Sequence, residues 1–186
     1  MRRTLPALAA VAAAVIALDR WTKHWVSSTQ PFNQPIRVIG DYVRLTYTRN
    51  SGVAFGIGQG TGFPYYLFSL AAIVVIVWLF LRGRAGHGVA RPLALALILG
   101  GAIGNLIDRV TSGEVVDFIE VGIPRWHWPV FNVADSAVSV GVVLFALLWT
   151  RQPAPGAPAP APDDAAPLPG TRDEPARSDG PGLERR

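Results

Sequence analysis

The chain has 186 residues, of which 50% are hydrophobic and only 16% charged, too apolar for an ordinary soluble domain of this size. The absence of cysteine excludes disulfides, thiolate catalysis and cysteine-ligated metal. The net charge of +4 divides into +6 over residues 1–151 (13 basic, 7 acidic) and −2 over residues 152–186 (4 basic, 6 acidic). That suits a basic body held against anionic lipid, and no aromatic-interleaved basic stripe argues for nucleic acid.

The first apolar segment runs from about Leu5 to Val26. Arg2 and Arg3 ahead of Leu5 to Leu18 resemble the start of a signal peptide. Three further apolar segments follow, however, and Asp19-Arg20-Trp21-Thr22-Lys23 closes this one, so it reads as a retained helix. Asp19 and Lys23 are four apart with the acid first, the arrangement of an ion pair on one helix face. Next, Ile36 to Ile39, the turn Gly40-Asp41 and the alternating run Tyr42 to Thr48 predict a hairpin. Directly after it, Arg49-Asn50-Ser51-Gly52-Val53-Ala54-Phe55-Gly56 holds glycines that permit a tight turn, and Asn50 is a candidate for holding a substrate backbone.

The second apolar segment, about Phe63 to Leu81, leads into the basic loop Arg82 to Gly88. The third, about Val89 to Ile107, contains Ala96, Gly100, Gly104 and Asp108 at a spacing of four, a small-residue face that lets another helix approach closely. Asn105 and Asp108 at its end need polar partners if buried, and Arg109 is a candidate for Asp108. Val115 to Ile119 reads as a short strand that could join the hairpin in a small sheet. The fourth apolar segment runs from about Val130 to Trp149. Residues 152–186 hold 9 of the 16 prolines and read as a disordered tail.

Each apolar segment is near the roughly 20 residues that cross a bilayer. Trp21, Trp25, Tyr65, Tyr66, Trp126, Trp128 and Trp149 cluster at segment ends, where aromatic belts sit. The expected architecture is a membrane all-α protein: a four-transmembrane-helix bundle over residues 1–151, with a small extracytoplasmic sheet and a tail. The basic second loop and the flanks at Arg2, Arg3 and Arg151 place both termini in the cytoplasm. Asp19, Asp108, Asp117 and Asp135 then gather at the outer end of the bundle.

An acid close to hydrocarbon is a functional-site hypothesis by default. Asp117, in Val115-Val116-Asp117-Phe118-Ile119, and Asp135, in Phe131-Asn132-Val133-Ala134-Asp135-Ser136, suggest a carboxylate dyad that activates water. Other chemistries have less to draw on. Lys23, the only lysine, would have to serve a serine–lysine hydrolase with Ser51, Ser136 or Ser139, and nothing singles out such a pair. His24, His87 and His127 lack metal-ligand spacing, so no metal or cofactor is expected. A small transporter or proton pathway is the rival reading, although it would spread acids over several depths.

The blocks Asp19 to Lys23, Asn50 to Gly56, Gly100 to Arg109, Val115 to Ile119 and Phe131 to Ser136 together resemble the bacterial lipoprotein signal peptidases, the signal peptidase II family, over about residues 5–150. The resemblance implies a four-helix membrane aspartic endopeptidase of the bacterial inner membrane, with its active site at the outer face. Its substrates would be diacylglyceryl-modified prolipoproteins, met in membrane lipid and cut just before the lipidated cysteine. By motif position the catalytic pair falls on Asp117 and Asp135. Asn50, Asn105, Asp108, Arg109 and Asn132 fall on residues that position substrate or support the pair, and Asp19, Lys23 and Gly52 lie in the same blocks.

Overall fold

The apolar runs become helices that pack around a central one. A computed structural model describes residues 5–52, 63–82 and 89–150. The sequence expectations for the Val53 to Gly56 turn, the basic loop around His87 and the proline-rich tail fall outside these residues. In chain order the elements are α1 (Leu5–Thr29), β1 (Ile36–Ile39), β2 (Val43–Asn50), α2 (Tyr66–Leu81), α3 (Ala90–Ser112), β3 (Val115–Ile123), β4 (Trp126–His127) and α4 (Val133–Thr150).

Helix α3 packs against α1, α2 and α4. Its glycines explain how closely. A Cβ on Gly100 would lie 2.9 Å from the Ala12 carbonyl of α1, and one on Gly101 would lie 2.3 Å from the Ala134 carbonyl of α4. Gly104 faces the Asp19 carboxylate of α1, with 2.8 Å available to a Cβ. The small-residue face at Gly100 and Gly104 thus seats α1, and Gly101, one position around the helix, seats α4. The helix continues five residues beyond the expected Ile107 and ends at Gly113, whose φ of +76° forms a left-handed cap that donates to the Arg109 carbonyl.

The strands form one antiparallel sheet in the order β1-β2-β3-β4. The β1–β2 turn is the expected one, with Gly40 at φ +52°. Strand β3 runs four residues past the expected Ile119 because β2 pairs with it as far as Val43↔Val121, and β4 covers its end. Arg44 and Thr46 of β2 donate across the pair to Glu120 of β3. An additional bridge, Ile119↔Phe131, ties the segment before α4 to β3. Val26, Tyr47 and Phe118 form a buried cluster with Leu45, Val116, Ile119 and Val133, fastening the sheet to the bundle.

Outside these contacts the helices are apolar and bare. Leu18, Trp21, Val74, Val75, Val140 and Val143 are each at least half exposed, and Ile76 is the one buried side chain on α2 among the described residues. An apolar surface of this extent is what contact with lipid requires. By length and composition α1 and α3 are long enough to cross a membrane, and α2 and α4 are shorter apolar helices.

Candidate active site

The site forms where α4 begins, beside β3. Asn132 is the N-cap of α4: its carbonyl accepts the first helical bond, from Ser136 N–H at 3.1 Å. Its side-chain oxygen accepts the Asp135 N–H at 2.9 Å, and Asp135 Oδ2 accepts the Asn132 N–H at 3.2 Å. This reciprocal pair is a capping box with an aspartate at the third helical position. Asp135 is therefore held by its own helix end, where an acid also complements the helix dipole. The next free N–H, from Ala134, donates to Asp19 Oδ1 of α1 at 2.9 Å.

Asp117 is held from two sides. In the β2–β3 register Thr48 lies opposite Asp117 and Asn50 opposite Val115, so Asn50 and Asp117 are diagonal neighbours on one face. Asn50 Nδ2 donates to Asp117 Oδ2 at 3.1 Å, and Asn50 Oδ1 accepts the Gly52 N–H at 2.9 Å, the bond of an Asx turn. On the other side Asn132 Nδ2 donates to Asp117 Oδ1 at 2.7 Å. Asp117 is 2% exposed. Burial, then the negative charge of Asp135, push its carboxyl from 3.8 up to about 7, against the hydrogen bonds from Asn50 and Asn132 and the Lys23 charge.

Asp117 and Asp135 line one cavity of about 390 Å³ together with Asn50, Arg109, Ser136 and Ser139. Its apolar walls come from Val115, Trp128, Val130, Phe131, Val138 and Val140. The two acids expected to face one another are thus brought to the same cavity, bridged by Asn132. Among the described residues no group of three or more acidic or histidine side chains is placed to hold a metal ion.

Behind the cavity lies a buried charge cluster. Lys23, 2% exposed, meets Asp19 Oδ2 at 2.7 Å, Asp108 Oδ2 at 2.8 Å and Asn105 Oδ1 at 2.9 Å, and Arg20 also pairs with Asp108. The expected Asp19–Lys23 pair is present, but the expected Asp108–Arg109 pairing is not. Adjacent residues on a helix point in different directions. Asp108 turns to α1, whereas Arg109 turns to the cavity, donating to the Gly52 carbonyl at 3.1 Å and toward Ser69 Oγ at 3.4 Å. The sequence reading missed Arg20 and the cavity walls at Trp128 and Val130. It also passed over the capping box, although Asn-x-x-Asp ahead of an apolar run was a usable signal. Of the histidines, His127 Nε2 lies 2.8 Å from the Asp41 carbonyl, on the sheet.

Apolar helices that end in a cavity with two amide-bridged carboxylates define a membrane enzyme of the aspartic-hydrolase type. The family model described as signal peptidase (SPase) II matches residues 11–151. A lipoprotein signal peptidase of Syntrophotalea carbinolica is 41% identical over 144 residues, covering 76% of this chain and 89% of the relative. One from Pseudomonas syringae pv. tomato is 45% identical over 139 residues, covering 72% and 79%. A bacterial membrane enzyme solved by the in meso method at 2.3 Å superposes with a TM-score of 0.72 at 32% identity, covering 78% of this chain and 88% of that one. The chain belongs to the signal peptidase II family, and it is a peptidase of the bacterial membrane.

Proposed function

We propose that this peptidase cuts diacylglyceryl-modified prolipoproteins just before the lipidated cysteine, with Asp117 and Asp135 as the catalytic pair. The observation that carries this reading is the shared cavity, in which Asn132 donates to both carboxylates, its side-chain NH₂ to Asp117 and its backbone N–H to Asp135. Peptide hydrolysis needs a base that takes a proton from water and an acid that gives one to the leaving amine. With its carboxyl near 7, Asp117 supplies the proton near neutral pH, and Asp135 as carboxylate takes one from the attacking water. Water oxygen bonds to the scissile carbonyl carbon, and the carbon–nitrogen bond breaks as the amine receives its proton. The two acids then share the remaining proton for the next turnover.

In this reading α1 to α4 are four spans with cytoplasmic termini, the dyad lies at the outer boundary of the bilayer, and residues 1–151 are the peptidase domain. The apolar exterior of the helices and the common end of the acids support this placement. A lipid anchor suits that depth: acyl chains hold a substrate with about 0.8 kcal/mol per buried methylene, so the lipid fixes the cut site beside the cavity. The test is cleavage by purified protein in detergent of diacylglyceryl-modified and unmodified prolipoprotein, with Asp117→Asn and Asp135→Asn alongside. Each variant is expected to lose roughly 10³-fold or more in kcat, because members of a catalytic unit fail together. The unmodified substrate is expected to be cut far more slowly. Near-wild-type turnover by either variant removes the dyad, and equal rates on the two substrates remove the lipid requirement.

A further inference from the structure

The Lys23 ammonium has three donors and no acceptor, and three oxygens occupy them: one each from Asp19, Asp108 and Asn105. Charge alone explains two of these contacts. With Arg20, Lys23 neutralises Asp19 and Asp108, two cations against two anions. The third contact is to a neutral amide, which has two chemically different ends. Because its oxygen faces the ammonium, its NH₂ end faces the other way, where Asn105 Nδ2 donates to Asp135 Oδ1 at 2.7 Å. The reversed amide would set donor against donor at Lys23 and oxygen against carboxylate at Asp135.

Asn132 has the same directionality. Its oxygen is taken by the Asp135 N–H, and its NH₂ group reaches Asp117 Oδ1 at 2.7 Å and Asn105 Oδ1 at 3.2 Å. Hydrogen-bond donation therefore runs outward from the buried lysine through Asn105 to Asp135, whereas the donor to Asp117 is Asn132, which is oriented by the Asp135 N–H and also donates to Asn105 Oδ1. We infer that Lys23 is a positioning residue for the dyad: by holding the Asn105 carbonyl oxygen it turns the Asn105 NH₂ group onto Asp135. This rests on Asp117 and Asp135 being the catalytic pair. The charged groups around the relay are Asp19 and Arg20 on α1, Asp108 and Arg109 on α3, and Asp117 on β3.

Removing Lys23 alone would strand the buried Asp19 carboxylate, so the test pairs Lys23→Met with Asp19→Asn, leaving Arg20 to balance Asp108. Thermal unfolding in detergent shows whether the pair of changes folds. Cleavage of diacylglyceryl prolipoprotein then reads the relay. Loss of one hydrogen bond to a charged group predicts a fall in kcat of about 10- to 100-fold, with KM within about two-fold if the bond acts on the chemical step. In an Asn105→Ala background the same two changes cost nothing more, because Lys23 acts through that amide.

A folded double variant with kcat within two-fold of wild type overturns the inference, as does a full additional loss on top of Asn105→Ala. Should the double variant fail to fold, Asn105→Asp decides: an oxygen still meets Lys23, but no N–H is left for Asp135. The same fall in kcat with KM little changed is expected there, and wild-type kcat overturns the relay. Asp117→Asn and Asp135→Asn run beside these variants. Activity in either breaks the dyad reading itself, whereas inactive dyad variants with an active double variant break only the role of Lys23.

Discussion

Replacing Asp117 by asparagine should abolish cleavage and yet stabilise the protein at alkaline pH. The carboxyl is 2% exposed and is raised from 3.8 to about 7, first by burial and then by Asp135. Three pH units at about 1.36 kcal/mol each mean that keeping it ionised costs the folded state roughly 4 kcal/mol. Because the folded value lies above the unfolded one, this stability is fully present below about pH 4 and is lost as pH rises through about 7. Asparagine has no charge to bury. However, both Asp117 oxygens accept amide donors, from Asn132 and Asn50, so the new NH₂ group must face one of them. Losing that bond and stranding a donor costs about 1–3 kcal/mol. The difference is a net gain of roughly 1–3 kcal/mol near pH 8.5; near pH 5 the penalty on wild type has shrunk to about 1.6 kcal/mol and the two changes roughly cancel. For a chain of this length each kcal/mol moves Tm by about 2–4 °C. Thermal unfolding of both proteins in one detergent from pH 5 to 9 should give curves that lie close together near pH 5 and separate as pH rises through about 7, the variant becoming the more stable. A constant offset over that range, or a variant that is less stable throughout, would refute a buried, charge-penalised carboxylate at this position.

The rate profile should carry the same signature: kcat/KM falls as pH rises through about 7 and Asp117 gives up the proton needed by the leaving amine. A profile flat from pH 6 to 9 contradicts this assignment of the acid. Gly101→Ala should destabilise by about 1–3 kcal/mol through overpacking, since its Cβ would sit 2.3 Å from the Ala134 carbonyl; an unchanged Tm would mean that α3 and α4 can separate at no cost. A protein ending at Arg151 should keep near-wild-type turnover, because the proline-rich remainder lies beyond the residues matched to the family. A large loss at equal expression would give that tail a role in docking or catalysis.

The sequence by itself determined the apolar helices, the hairpin and the acids, because hydrophobic runs, turn glycines and misplaced charges are local signals. It also identified Asp19 with Lys23, a pair one helical turn apart. Its errors have a common origin. Asp108 and Arg109 looked like the end of the third span, but α3 continues to Ser112. Polar residues end an apolar run without ending a helix when another element satisfies them, here Arg20 and Lys23 for Asp108 and the Gly52 carbonyl for Arg109. Likewise β3 continues past Ile119 because β2 offers partners that its own sequence does not announce. Only the tertiary structure decided who bonds to whom: Asp19 with the Ala134 N–H, 115 residues away, Lys23 with Asn105, 82 away, and Asn50 with Asp117, 67 away. Hydrogen bonds and buried ion pairs act over about 3 Å and depend on direction. They are therefore fixed by how glycine faces let α1 and α4 close on α3, and by the β2–β3 register, rather than by any spacing along the chain.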